Sequence, residues 1–112
     1  GSVADIRTEK NTKVINSDKE FSITKISLLY DRNEDSCYIF EVRWNRIFYG
    51  NGKADDSANA QLGKYISELK VAPFPQGTTF AQARALKITI KLAKGNESYE
   101  ATQLINMRGG RK

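Results

Sequence analysis

The sequence predicts a single α+β domain: a small antiparallel sheet of three to four strands, in β-β-α-β-β order, with one amphipathic helix packed on one face. Three observations lead there. Leu62, Tyr65, Ile66 and Leu69 fall at i, i+3, i+4 and i+7, the spacing of one stripe along a helix. Leu86, Ile88, Ile90 and Leu92 alternate with Lys87, Thr89 and Lys91, the spacing of a strand with one wet face. A chain of 112 residues, 39% hydrophobic and 28% charged, has room for one ordinary globular core.

The elements follow in order. Gly1-Ser2 reads as the remnant of tag cleavage and is set aside. With it, residues 1–20 make a polar N-terminal arm whose few apolar anchors are Val3, Ile6, Val14 and Ile15. That arm is either a mobile lead-in or a segment that docks on an edge strand. The domain proper is expected over 21–108. Residues 21–31 form the first strand. Phe21 and Ile23 share one phase, while Ile26, Leu28 and Tyr30 share the other, so a bulge or late start is expected near Thr24 and Lys25. Residues 31–36 have turn composition, and 37–49 read as a long aromatic strand pairing back on the first.

Gly50-Asn51-Gly52 ends that strand, since glycine and asparagine tolerate positive φ. Asp55, Asp56 and Ser57 supply capping side chains for a helix over 57–70. Gly63 inside it costs roughly 1 kcal/mol relative to alanine, so the helix must rely on packing its stripe. Ala72-Pro73-Phe74-Pro75-Gln76-Gly77 stops it, because proline lacks an amide hydrogen and clashes with the preceding turn. Residues 80–85 either extend the next strand or form one helical turn. A third strand over 86–94, a tight turn at Lys94-Gly95-Asn96-Glu97, a fourth strand over 98–108 and a basic flexible tail at 109–112 complete the chain.

The side chains exclude most catalysis. With no histidine, Ser-His and Cys-His nucleophiles cannot be built. A lone cysteine, Cys37, forms no internal disulfide and is expected to be a buried, inert thiol. No metal site and no cofactor is expected. The carboxylate pairs Glu34-Asp35 and Asp55-Asp56 fall in turns, where acidic residues cap and solvate. Gly50-Asn51-Gly52-Lys53 lacks the spacing of a phosphate loop. The protein is therefore read as a non-enzyme. No apolar run approaches the ~18 residues of a membrane span, so a membrane would be reached only through a segment outside this sequence. The net charge of +5 permits nucleic acid, anionic lipid or an acidic protein as partner, although a modest lysine surplus is common on soluble surfaces.

A strand ending in Asp31-Arg32-Asn33, a second strand, the Gly50-Asn51-Gly52 break, an acidic segment and a helix leading into Ala72-Pro73-Phe74-Pro75 come in a distinctive order. Over residues 21–94 this resembles the C-terminal domain of the TonB/TolA family of bacterial envelope proteins. The resemblance implies a non-catalytic docking domain in the periplasm or at the outer membrane, one that binds another protein by strand-edge pairing.

On that reading the strand over 86–94 is the edge, and Lys87, Thr89, Lys91 and Lys94 along it bind the partner. Arg43, Trp44 and Arg46 form a second exposed surface. The lysines either recruit an acidic partner or blunt the edge against aggregation, and Lys91→Glu is expected to change partner affinity with little effect on thermal stability. The domain would act as an adaptor in the cell envelope, in a secretion or transport assembly. Two alternatives stand beside it. One is a cytoplasmic single-strand nucleic-acid-binding module, using Trp44 between Arg43 and Arg46 and the Arg108-Gly109-Gly110 tail. The other is an inhibitor or immunity protein.

Overall fold

The computed structural model describes residues 2–29 and 36–107. The turn expected over 31–36 and the basic tail fall, Ser36 apart, outside the described residues. Within them the fold is almost entirely β, not α+β. The strands are β1 (Ser2–Thr8), β2 (Phe21–Leu29), β3 (Cys37–Arg43), β4 (Arg46–Gly52), β5 (Ala60–Lys64), β6 (Ile66–Phe74), β7 (Ala85–Lys94) and β8 (Glu97–Asn106). They form one curled antiparallel half-barrel in the order β5-β4-β3-β2-β6-β7-β8, with β1 on β2. A 3-10 turn over Phe80–Gln82 is the only helical element among the described residues.

The expected helix over 57–70 is absent; β5 and β6 stand in its place. The register explains the misleading stripe. Leu62 is an extra residue where β5 pairs with β4, Tyr65 sits at φ +68° between the strands, and Ser67 is an extra residue where β6 pairs with β7. Each interruption shifts the two-residue alternation by one, so the apolar residues land three and four apart as on a helix. Beyond the interruptions the strand period returns at Leu69, Val71 and Pro73, all buried. The Ala72-Pro73-Phe74-Pro75 segment does not end a helix. It closes β6, where Pro73 lies opposite Leu86, and the Phe74–Pro75 bond is cis.

β5 runs into β6 through Tyr65, so one continuous stretch pairs with β4 on its first half and with β7 on its second. β6 also reaches β2, through Phe21 opposite Val71 and Ser22 opposite Lys70. That two-pair joint curls the sheet. Thr24 is the extra residue of β2 against β1, at the position where the sequence changes phase. The N-terminal segment is part of this sheet: β1 pairs with β2 along its length, and Val3 and Ile6 enter the main core.

The long strand expected over 37–49 is two strands. Arg43 lies opposite Arg46, joined by the two-residue turn Trp44-Asn45 with φ of +54° and +59°, the doubly positive pair of a hairpin turn that matches strand twist. Gly50-Asn51-Gly52 forms the last three residues of β4, which ends at Gly52. Gly50 has its own reason to be glycine: a Cβ there would approach the Ala58 Cα to 3.0 Å, where the loop after β4 folds over the sheet.

The sheet carries two apolar clusters. The main core gathers Val3, Ile6, Ile23, Ile26, Leu69, Val71, Phe80 and Leu86. Phe80 is fully buried, and the 3-10 turn that carries it is tied down by amides donating to the carbonyls of Ser17 and Ile15. On the opposite face of β3 and β4, Cys37, Ile39 and Phe48 pack against Ala58. That cluster is roofed by the loop over 53–58, which accepts from the Ser27 hydroxyl at 2.8 Å and donates from the Ala58 amide to Glu41 at 3.1 Å.

Candidate docking surfaces

The inner face of the half-barrel is an open apolar groove of ≈ 540 Å³. Residues opposite each other in an antiparallel ladder point to the same side, so the pairs Ile26–Phe40, Leu28–Tyr38, Phe40–Tyr49, Val71–Ile88, Leu69–Ile90 and Leu86–Ile105 assemble one continuous surface. Its floor is buried, whereas Leu28, Phe40, Ile47, Tyr49, Ile88 and Ile90 are only half-buried. The Tyr49 ring stacks on Tyr38 at 6.2 Å and tilts against Phe40 at 5.3 Å. The two tyrosine hydroxyls are the only polar side-chain groups among the lining residues. Such a surface can take up apolar side chains or chains.

The groove ends at a free strand edge. All ten residues of β8 are exposed, and β8 pairs only with β7. The Met107 amide donates to the Arg84 carbonyl. Alternation along this ladder then turns the amides and carbonyls of Ser98, Glu100, Thr102, Leu104 and Asn106 away from β7, toward open solvent. Ten unbroken pairs and a two-residue turn at Gly95-Asn96, with Gly95 at φ +62°, make the strand long and regular.

The edge anticipated over 86–94 is thus misplaced. β7 is an inner strand, hydrogen-bonded to β6 and to β8. Its wet face is real: Lys87, Thr89 and Lys91 project from the outer side of the sheet, opposite the groove. Thr89 is nevertheless buried, its hydroxyl 3.0 Å from that of Thr102. Lys91 is not a free cation. It pairs with Glu68 at 3.2 Å and Glu100 at 3.9 Å, part-exposed ion pairs of the kind that contribute little each. Lys94 lies at the far end of β7, 5.1 Å from the Tyr65 ring.

No protein-family model, curated protein or solved structure matches this chain.

The remaining geometry therefore rests on its own chemistry. Glu68 accepts from the Ser22 hydroxyl and from Lys91, bridging β2, β6 and β7 across the joint. The Ser22 hydrogen bond, and next the Lys91 ammonium, hold the Glu68 carboxyl below its ordinary value. Glu68 in turn raises Lys91. At the edge, Tyr99 donates to Glu97 at 2.7 Å, which favours the protonated phenol and raises its pKa. Among the described residues no three His, Cys, Asp or Glu side chains converge as a metal site.

Arg43, Trp44 and Arg46 do stand together, at the β3–β4 turn. Trp44 is 76% exposed, Arg43 lies 4.1 Å over the Phe48 ring and 5.5 Å over the Trp44 ring, and Arg43 pairs with Glu41 at 3.0 Å. Sequence reasoning missed the residues that complete this corner, Leu62, Lys64 and Tyr65, because it assigned them to a helix. The available signal was Asn45 in an otherwise aromatic run, a residue that tolerates positive φ and marks the turn from β3 to β4.

Proposed function

We propose that this chain is a non-catalytic docking domain that captures another protein by adding that partner's strand to the free edge of β8. The observation that carries the reading is β8 itself. It is a ten-residue edge strand with both faces exposed and its outward amides and carbonyls unpaired within the sheet. Proteins ordinarily blunt such an edge with a proline, a bulge, charged side chains or a covering loop; among the described residues β8 carries two carboxylates, Glu97 and Glu100, and none of the other devices along its ladder. A strand added there would extend the half-barrel. Main-chain hydrogen bonds would give affinity. The partner's alternate side chains would fall beside Tyr99, Ala101 and Ile105 on the groove side, so a segment with alternating apolar residues is the natural ligand.

Placement in the bacterial cell envelope, as an adaptor in a secretion or transport assembly, rests on the TonB/TolA resemblance alone, and the helix that carried it is replaced by β5 and β6; the edge of β8 supports the docking itself, not its location. An inhibitor capping a toxin would use the same edge.

The test compares the wild type with Leu104→Pro. The Leu104 amide points outward, so proline there removes a donor from the free edge without breaking a bond to β7. A partner crosslinked from envelope extract at a photoreactive side chain on β8 should be lost with Leu104→Pro. In the complex, the amides of Ser98, Glu100, Thr102 and Leu104 should gain protection from hydrogen exchange. Equal capture by both proteins, with no gain of protection on β8, would sink edge pairing.

A further inference from the structure

The corner where β4, β5 and β6 meet carries a second surface that strand pairing does not use. Arg43, Arg46 and Lys64 stand directly opposite one another on β3, β4 and β5, three cations in one cross-strand row. Like charges at opposed positions destabilise a sheet. Glu41 neutralises Arg43, but no carboxylate among the described residues lies within ion-pair distance of Arg46 or Lys64. Lys94 extends the row: its ammonium and that of Lys64 lie 5.1 and 5.9 Å from the Tyr65 ring. The acids nearby are Glu41, held by Arg43 and the Ala58 amide, and Glu97, opposite Lys94 and held by Tyr99.

Around these cations protrude Trp44, Leu62 and Tyr65, which are 76%, 60% and 41% exposed. Trp44 and Tyr65 are moreover held at positive φ, conformations that bulky residues rarely adopt. The Trp44 indole meets the Phe48 ring and Arg43 and leaves most of its surface to solvent.

We infer that this corner docks on an anionic phospholipid surface. Trp44, Leu62 and Tyr65 would enter the headgroup region while Arg46, Lys64 and Lys94 meet lipid phosphates. A single-stranded nucleic acid fits less well. The Tyr65 ring is attended by two of the chain's own ammonium groups, and Trp44 by Arg43 and the Phe48 edge, so successive bases find no pair of free aromatic faces. Leu62 offers a base nothing, whereas an interfacial layer accepts it. This inference is independent of docking at β8.

Trp44 is the only tryptophan of the chain, so it reports directly. Vesicles of phosphatidylcholine with phosphatidylglycerol should shift its emission to the blue and co-sediment the protein at low salt. Pure phosphatidylcholine should do neither, and raised salt should release the protein. Arg46→Gln with Lys64→Gln should weaken vesicle binding by at least about tenfold, from the attraction a basic residue gains near an anionic surface. Because that variant relieves like-charge opposition, its melting temperature should equal or exceed the wild type's. No shift with anionic vesicles, equal binding to neutral ones, or full binding by the double variant would each overturn the inference. So would an oligonucleotide that quenches Trp44 where anionic vesicles leave it unchanged.

Discussion

The two faces of β3 and β4 both carry apolar side chains, and the two sets meet opposite fates. On the outer face Cys37, Ile39 and Phe48 are sealed beneath the loop over 53–58, which Gly50 lets approach closely. On the inner face Phe40, Ile47 and Tyr49 line a groove that no element among the described residues covers. Apolar surface removed from water stabilises the fold by roughly 25 cal/mol per Å², and half-exposed surface contributes correspondingly less. The outer cluster is thus structural. The inner face leaves apolar side chains half-exposed along an open groove.

Truncation should separate the two most sharply. Ile39→Ala, under the sealed loop, is expected to cost about 2–5 kcal/mol in denaturant unfolding, from lost burial and the cavity left behind. Ile88→Ala, on the open wall, should cost clearly less, because solvent or neighbouring side chains can fill the space. Equal losses at both sites would mean that the groove is a core and not an open surface.

The edge allows a finer division within one strand. Gln103→Pro removes an amide that donates to β7 and should destabilise by about 1–3 kcal/mol, the cost of leaving the β7 carbonyl without its ladder hydrogen bond. Leu104→Pro, one residue on, should change the melting temperature little. Reversal of that order would place the outward amides on the wrong residues.

Smaller effects are expected at the joint between β2 and β6. Lys91→Glu would set a third carboxylate beside Glu68 and Glu100, so its melting temperature should fall modestly, with the loss shrinking in high salt. The Glu68 carboxyl titrates lower in the folded chain than its ordinary 4.5. Its contribution is therefore complete above that value and is lost as the pH falls through the depressed folded-state pKa. Glu68→Gln should flatten that part of the acid unfolding profile; an unchanged profile would show that other carboxylates dominate it.

Much of this was written in local residue order. The alternation Leu86, Ile88, Ile90, Leu92 against Lys87, Thr89 and Lys91 specified a strand with one wet face, because side chains on a strand change sides at every residue. Lys94-Gly95-Asn96-Glu97 specified a two-residue turn, and the phase change after Ile23 marked the bulge at Thr24. The absence of histidine excluded whole classes of chemistry before any coordinates. Tertiary structure decided the rest. Whether Leu62, Tyr65, Ile66 and Leu69 are a helical stripe or an interrupted strand depends on pairing with β4 and β7, and no local spacing encodes partners distant in sequence. The same holds for the edge: β7 and β8 are both regular strands, and only the docking of β6 on β7 leaves β8 outermost. Gathering Arg43, Arg46 and Lys64 into one row likewise needed three strands in register. Local sequence sets which backbone shape each segment prefers, whereas burial and strand pairing, which are non-local, set where it lies.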